Sequence, residues 1–170
     1  MLEAGFEVYA GLTTGEFYKI AVAEEKSGVG LKLITSGGID PNESFWGQRN
    51  NLMTFRKTRY QFPRIQNEDY SEGLQAKLKR SQRPKIIVAN LTKKVEAFFD
   101  ARGEYQASTA TQTIYHKEDD PEKLAQLCAL LHSSFSNRLF VHILGYNAMH
   151  SNISMEKSFL ENFPIPLTED

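Results

Sequence analysis

The sequence predicts a mixed α+β fold: a strand-rich N-terminal two-thirds with a curved sheet or barrel-like core, and packed helices toward the C-terminus. Short segments rich in Val, Ile, Thr, Tyr and Phe fill the first part and are separated by turns that contain Gly. An apolar stripe at helical spacing follows from about residue 121. The chain has 170 residues, of which 41% are hydrophobic and 24% charged. We therefore expect residues 1–170 to form a single globular domain.

The first part of the chain is predicted to consist of short strands. The turn Asp40-Pro41-Asn42 separates two groups of them, because Pro fixes φ at its second position. The predicted strands are Phe6–Ala10, Glu16–Ala23, Val29–Ile34 and Leu52–Phe62.

The middle of the chain is predicted to contain one short helix and further strands. Ser71 is a suitable cap for a helix over Glu72–Lys79, and Arg83-Pro84 ends that segment. The apolar strand Lys85–Leu91 is expected to be buried on both faces. The remaining predictions are a hairpin of Val95–Phe99 and Tyr105–Ala107 through the connection Asp100–Gly103, and a strand at Thr111–His116.

The clearest predicted helix begins at Pro121, after Asp119 and Asp120, whose acidic side chains favour the positive end of a helix. Its apolar stripe predicts a core-facing side, with docking on a partner domain as the less favoured alternative. The stripe consists of Leu124, Leu127, Leu131, Phe135 and Leu139. A last helix is predicted over Met155–Asn162, capped by Ser154 and closed before Pro164 and Pro166, with Phe159 and Phe163 as further docking candidates.

Several classes of protein are disfavoured by simple patterns. The chain has no apolar run long enough to span a membrane, and its N-terminus has no basic stretch followed by an apolar one. The single cysteine, Cys128, excludes an internal disulfide and suits a reducing compartment. We therefore expect a cytoplasmic location and no membrane partner.

Motifs of catalysis are missing from the sequence. It contains no Gly-x-Ser-x-Gly, His-Glu-x-x-His or Gly-x-x-x-x-Gly-Lys pattern. Cys128 and His132 are four residues apart on the predicted helix and could share a metal, but a packed thiol beside an imidazole is the favoured interpretation. We expect no catalytic, cofactor-binding or metal-binding residues here, and therefore no enzyme activity of this domain on its own.

Charge is unevenly distributed along the chain. From Arg49 to Lys94 there are twelve Lys and Arg residues and three acidic ones, a net charge of +9, whereas the rest of the chain carries −10. The run Phe55–Arg64 mixes cations with aromatic side chains and Gln61. Such a segment can bind a polyanion such as DNA, but a solvated strand with outward-facing charges is the favoured interpretation of the charge pattern alone.

Six stretches, taken in order, resemble the C-terminal target-recognition (specificity) domain of TaqI-like N6-adenine DNA methyltransferases of type II restriction-modification systems. The likeness extends from about Gly11 to Pro166, and the helix stretch has His132 where Asn is frequent in the family. The stretches are Gly11–Ile20, Ile34–Ile39 with Trp46-Gly47, Arg83–Val88, Phe98–Asp100 with Gly103 and Tyr105, Leu127–Asn137, and Phe159–Pro166.

The resemblance implies a DNA-binding specificity domain that is a fragment or subunit of a larger enzyme. The catalytic domain of that family carries an Asn/Asp-Pro-Pro-Tyr motif and a glycine-bearing cofactor loop, and both are missing from this sequence. The resemblance therefore implies double-stranded DNA and a methyltransferase catalytic domain as partners, with S-adenosylmethionine bound by that catalytic domain. Restriction endonuclease activity of the whole system is compatible with this interpretation.

On this interpretation, the stretch from Arg49 to Arg64 is the first candidate for DNA contact. Base-reading and phosphate-binding side chains are both present in it, because Arg forms paired hydrogen bonds with base edges and Lys binds phosphates. The candidates are Arg56, Arg59 and Arg64 as base readers, Lys57 as a phosphate contact, Arg49 beside them, and Lys93 with Lys94 as a second loop. A non-catalytic protein-interaction or assembly domain of the same type of system is the alternative function.

Overall fold

The computed structural model of the chain describes residues 1–144 and 153–165. It confirms the mixed α+β class, with sheets in the N-terminal two-thirds and helices toward the C-terminus, and the described residues form no closed barrel. The strands are β1 (Phe6–Ala10), β2 (Val22–Glu24), β3 (Lys32–Ile34), β4 (Ile39–Asp40), β5 (Glu43–Ser44), β6 (Met53–Phe55), β7 (Thr58–Tyr60), β8 (Pro63–Ile65), β9 (Lys85–Ala89), β10 (Leu91–Thr92), β11 (Ala97–Asp100), β12 (Tyr105–Ala107), β13 (Thr111–His116) and β14 (Ile153–Ser154). The helices are α1 (Thr14–Phe17), α2 (Glu72–Arg80), α3 (Pro121–Leu131), α4 (Ser134–Leu144) and α5 (Lys157–Glu161).

The first sheet has the strand order β1-β13-β9-β11 and is antiparallel throughout. Its central strand β9 is buried along its whole length, as its run of Ile86-Ile87-Val88 requires. Helices α3, α4 and α5 cover one face, where Leu124, Leu131 and Phe140 join the core. No helix in the described part of the chain is both long and apolar enough to cross a membrane.

The second sheet has the order β12-β3-β8-β2, in which only β12 and β3 are parallel. One apolar cluster, which includes Ile34, Ile87 and Ala107, joins the two sheets. Another cluster packs this sheet against α1, α2 and the hairpin of β6 and β7, with Phe17 and Leu74 among its members. The hairpin of β6 and β7 and helix α2, which both belong to the basic segment Arg49–Lys94, therefore pack on a different apolar cluster from the one under α3, α4 and α5.

Three predictions about strands in the first two-thirds were wrong. The segment Glu16–Ala23 begins as helix α1, because Thr13 and Glu16 form a reciprocal capping box, and only its end becomes β2. The segment Leu52–Phe62 is a hairpin rather than one strand. The segments Val95–Phe99 and Tyr105–Ala107 do not pair with each other, since β11 joins β9 and β12 joins β3 in the other sheet.

The long predicted helix is interrupted at His132 and Ser133, which separate α3 from α4. Ser133 accepts a hydrogen bond from the Ser136 N–H at 3.1 Å and so starts a new helix. The break rotates the stripe, so that Leu131 is buried but Phe135 is 50% exposed. The core-facing interpretation is confirmed for Leu124, Leu127 and Leu131, and Phe163 packs into the same core against Phe140.

Three helices were predicted to begin after a polar capping residue, and the structure confirms the capping bond for α3 but not for α2 or α5. Asp120 caps α3 by accepting hydrogen bonds from the N–H groups of Glu122 and Lys123. Ser71 precedes α2 as predicted but makes no side-chain capping bond. The last helix begins at Lys157, after Glu156, and not after Ser154. Pro166, the second residue predicted to close it, lies outside the described residues.

A buried ion pair joins two neighbouring strands of the first sheet, through Lys85 of β9 and Asp100 of β11. The Lys85 ammonium is fully buried and donates hydrogen bonds to the Asp100 carboxylate and the Ser81 carbonyl, each at 2.5 Å. The same carboxylate accepts from the N–H groups of Glu104 and Tyr105 at 3.0 Å, which fixes the entry to β12. Burial lowers the pKa of Lys85, and the Asp100 charge opposes that shift. Asp100 therefore positions β12 beside β3.

Replacing Asp100 with Ala should destabilise the protein by about 3–5 kcal/mol, because it leaves the Lys85 charge and two N–H groups without their acceptor. The measurement is chemical denaturation. The control is Asp40→Ala, which removes an exposed partner of Lys94 at 3.7 Å and should cost no more than about 1 kcal/mol. Equal destabilisation by the two substitutions would contradict the role given to Asp100.

Candidate nucleic-acid interface

The hairpin of β6 and β7 carries two basic residues in a strained turn. Its pairs are Met53 with Tyr60, Thr54 with Arg59, and Phe55 with Thr58, which leaves Arg56 and Lys57 as the two-residue connection. Both have positive φ, 47° and 68°, as in a type I′ turn. That conformation favours Asn-Gly and costs other residues of order 1 kcal/mol or more each. Two cationic residues therefore occupy a backbone conformation that is unfavourable for any residue with a Cβ atom.

Aromatic packing fixes the position of this turn. Phe55 is buried edge-to-face against Phe17, with ring centroids 4.9 Å apart, and also contacts Tyr60. The Arg56 guanidinium donates a hydrogen bond to the Tyr18 carbonyl and lies 5.1 Å from the Phe55 ring centroid. The turn is thus held against α1 and does not project freely from the surface.

The outer side of the hairpin presents cations to solvent. Lys57 and Arg59 are exposed and form no ion pair with any described residue. Thr54, the cross-strand neighbour of Arg59, is also exposed. Together with Arg56, these side chains form what we call the basic hairpin: Thr54, Arg56, Lys57 and Arg59. The charges of Lys57 and Arg59 and the hydroxyl of Thr54 can bind phosphates or base edges, whereas the Arg56 guanidinium already binds the Tyr18 carbonyl.

Arg64, predicted as a base reader, is instead used inside the protein. Its side chain is only 9% exposed and lies over the Trp46 ring. Its guanidinium donates hydrogen bonds to the carbonyls of Glu25, Gly30 and Lys26 at 3.1, 2.6 and 3.5 Å. This geometry makes Arg64 the residue that holds the loop between β2 and β3, and we leave it out of the proposed DNA contacts.

The basic hairpin is continuous with the base of that loop. The Glu24 carboxylate accepts hydrogen bonds from the N–H groups of Gln61 and Phe62, which follow β7. The exposed Lys26 ammonium lies 5.9 Å from the centroid of the Phe62 ring. Lys26 falls outside the basic segment of the sequence, so charge counting did not identify it. Its proximity to the hairpin follows from the pairing of β2 with β8.

A small pocket borders the hairpin. It has a volume of about 160 Å³ and is bordered by Trp46, Asn51, Thr54, Tyr60 and Gln61, among others. The Trp46 indole donates to the Pro63 carbonyl at 2.9 Å, and the Gln61 amide donates to the Gly47 carbonyl at 2.8 Å. These bonds join the segment that precedes β6 to the segment that follows β7.

The remaining candidates lie on other elements. Arg49 is exposed in the turn before β6, and Lys93 and Lys94 are exposed between β10 and β11. Lys94 is 3.7 Å from the Asp40 carboxylate of the small β4–β5 hairpin. Hence the seven predicted residues divide into four groups: three on the hairpin, Arg49 in the turn before it, the internal Arg64, and a pair at Lys93 and Lys94.

Much of the positive charge of the middle segment is neutralised in the fold. Lys77 binds Glu16 at 2.7 Å, Arg83 binds Asp119 at 2.7 Å, and Lys85 binds Asp100. Partial burial would raise the pKa of Glu16, but hydrogen bonds from Lys77 and from Thr13 lower it below its usual value. The sequence total of +9 therefore overstates the charge that this segment offers to a partner.

Cys128 on α3 and His132, which directly follows that helix, are neighbours, with Sγ and Nδ1 4.0 Å apart. Burial raises the pKa of the Cys128 thiol to about 11, so it stays protonated at neutral pH. Within residues 1–144 and 153–165, no group of three or more His, Cys, Asp or Glu side chains is arranged to hold a metal ion. The packed-thiol interpretation fits this geometry.

Replacing Arg64 with Ala should lower the free energy of unfolding by about 2–4 kcal/mol, because three carbonyls lose their donor and the Trp46 ring loses its neighbour. Arg59→Ala removes the same side chain from an exposed position and should change stability by no more than about 0.5 kcal/mol. Thermal unfolding of both variants checks this. Similar unfolding temperatures for the two would contradict the internal role of Arg64.

Comparison with known proteins adds no further assignment, because neither a family model nor a curated protein matches the chain. The functional interpretation of this surface consequently depends on its residues alone. Three features carry it: a strained turn with two cations, two exposed cations on one hairpin that form no ion pair within the described part of the chain, and a buried arginine that fixes the adjacent loop.

Proposed function

We propose that this chain is a non-catalytic DNA-binding domain that selects a sequence and positions a target adenine for N6 methylation. The methyl transfer would be performed by a separate S-adenosylmethionine-dependent catalytic domain of a restriction-modification system, in the same chain or in a partner subunit. The basic hairpin supports the DNA-binding part of the proposal. The resemblance to specificity domains of TaqI-like methyltransferases supports the choice of reaction.

The observation that carries the proposal is the backbone strain at Arg56 and Lys57. Unfavourable φ values persist where the surrounding structure enforces them, and they concentrate at functional sites. A turn of Asn-Gly would satisfy the same hairpin without strain. Lys57 gains no apolar burial in return, since it is exposed. Arg56 also binds the Tyr18 carbonyl and lies 5.1 Å from the Phe55 ring centroid, which holds the turn in place. A demand for positive charge at the tip of the hairpin accounts for Lys57.

Duplex DNA is the polyanion that the hairpin fits best. A two-stranded ribbon is narrow enough for the major groove, where Arg can pair with guanine and Lys can bind flanking phosphates. Arg59 and Thr54 lie side by side on one face of the ribbon, and Lys57 extends its tip. This division between base contacts and phosphate contacts is what sequence selection requires.

There is also a physical reason for DNA binding and methyl transfer to be performed by separate domains. An enzyme that methylates adenine N6 must extrude the base from the stack into a pocket. Holding the rest of the duplex in register is a separate task, which a basic surface can perform without a cofactor or a nucleophile. We infer that this chain performs that second task.

The alternative is an assembly domain that binds another protein of the same system. Two apolar side chains favour it, Leu91 and Phe135, which are 55% and 50% exposed. Binding of DNA that is weak, insensitive to salt and unchanged in the double variant Arg56→Ala/Arg59→Ala would favour this alternative over the proposal.

Lys57→Gly should weaken DNA binding without loss of stability, because Gly adopts positive φ at little cost. Removal of one phosphate contact should reduce the slope of log K against log salt by about 1. The measurement is a salt titration of binding to a pool of short duplexes with a randomised centre, together with thermal unfolding of the variant.

The control is Lys117→Ala, which removes an exposed lysine from the turn after β13. It should leave both the affinity and the salt slope unchanged. Unchanged DNA affinity in Lys57→Gly, or an equal loss in the two variants, would contradict a specific role for the hairpin turn.

A further inference from the structure

One large aromatic side chain beside the basic hairpin faces solvent. Tyr18 directly follows helix α1 and is 55% exposed. Its hydroxyl forms no hydrogen bond within residues 1–144 and 153–165. Single exposed aromatic residues are common and need no explanation by themselves. Tyr18 differs from them in how firmly it is held and in which groups surround it.

Both the backbone and the ring of Tyr18 are fixed by contacts. Its N–H donates to the Thr14 carbonyl at 3.2 Å, and its carbonyl accepts a hydrogen bond from the Arg56 guanidinium. Its ring packs edge-to-face on Phe17, with centroids 5.7 Å apart. Phe17 packs in the same manner on Phe55, the residue before Arg56. Direct contacts therefore place this tyrosine against the tip of the basic hairpin.

The surface near Tyr18 carries positive charge. Lys19 follows it in the chain, is exposed and forms no ion pair with any described residue. Lys57 belongs to the hairpin tip that contacts the tyrosine, and it is exposed as well. The one acidic residue of α1, Glu16, is bound by the Lys77 ammonium at 2.7 Å. An anionic partner is therefore favoured at this point of the surface.

The other exposed residues of this segment are polar or lack a side chain. They are Thr13, Thr14 and Gly15. Tyr18 is thus an isolated ring among hydroxyls and cations and not part of an apolar patch of the kind that marks a protein interface. Such a ring suits a partner that combines a flat aromatic face with nearby negative charge. A nucleobase on its phosphate backbone has both, and exposed aromatic residues beside cations are how proteins bind unstacked bases.

The proposed function supplies a base of this kind. In an intact duplex the faces of the bases are covered by stacking, so a tyrosine can stack only on a base that has left the helix. Extrusion of the target adenine leaves the opposite thymine without a partner, and a base that is already unpaired costs the least to unstack.

We propose that Tyr18 stacks on an unpaired base of the bound DNA, the thymine that faces the extruded adenine. This inference rests on the proposed DNA-binding function and adds an aromatic contact outside the basic segment Arg49–Lys94. Lys19 binds a phosphate beside that base. Arg56 acts as a positioning residue, because it holds the Tyr18 carbonyl.

The test uses the 170-residue chain and a duplex that it selects from the randomised pool. Each adenine of the selected sequence is replaced in turn by an abasic site, which leaves the opposite thymine unpaired. At one of these positions, wild-type protein should bind the abasic duplex at least about fivefold more tightly than the paired duplex. That factor is the lower end of what the stacking of one base contributes.

Two substitutions of Tyr18 separate the ring from the hydroxyl. Tyr18→Ala should bind the paired duplex and that abasic duplex with equal affinity, whereas Tyr18→Phe should keep the wild-type gain, because the ring makes the contact. Since Tyr18→Ala also loses the packing on Phe17, binding is measured at a temperature where thermal unfolding shows that the variant is folded.

The matched control is Phe135→Ala, which removes another exposed ring, 50% accessible, on α4 under the other sheet. It should keep the wild-type gain. The stacking role is refuted if no abasic position improves binding by the wild-type chain, if Tyr18→Ala keeps the gain, or if Tyr18→Phe loses it. Absence of salt-dependent binding of the paired duplex by the wild-type chain would instead refute the proposed function, so the two failures are distinguishable.

Discussion

The buried Arg64 guanidinium is the interaction on which the candidate interface depends. It lies on β8 and is shared between the Trp46 ring and three carbonyls of the loop between β2 and β3. A guanidinium suits this place because its donors are fixed in one plane and its charge is weakly hydrated. One side chain thereby links the segment before β6, the central part of the second sheet and the loop. Arg64, a cation of the stretch Arg49–Arg64, therefore stabilises the fold around that stretch.

At the tip of the neighbouring hairpin, the proposed DNA-binding role opposes stability. Positive φ at Arg56 and Lys57 destabilises the fold, and the packing of Phe55 on Phe17 offsets that cost. The first sheet contributes a separate, conventional core under α3, α4 and α5. Apolar burial under the helices and beneath the hairpin together offsets the strain of the turn.

The sequence predicted those elements whose signal is local. Strands β1 and β13 were predicted with their observed bounds, and Pro121 after Asp120 located the start of α3. Pairing between distant segments was not predictable: β12 follows β11 closely yet joins β3, because the Asp100 carboxylate binds the N–H groups at its start. The candidate site was predicted in part, since Arg56, Lys57 and Arg59 share the hairpin. The internal role of Arg64 and the approach of Lys26 depend on the pairing of β2 with β8, which composition does not reveal.

The central claim is that the basic hairpin forms the DNA-facing surface. Its most direct test is a lysine-reactivity footprint, in which exposed lysines are acetylated with and without bound duplex and quantified by mass spectrometry. Lys57, Lys93 and Lys117 are all exposed, so each reports on its own part of the surface. The account predicts that DNA protects Lys57 and leaves Lys93 and Lys117 reactive. Protection of Lys93 or Lys117, with Lys57 still reactive, would contradict it.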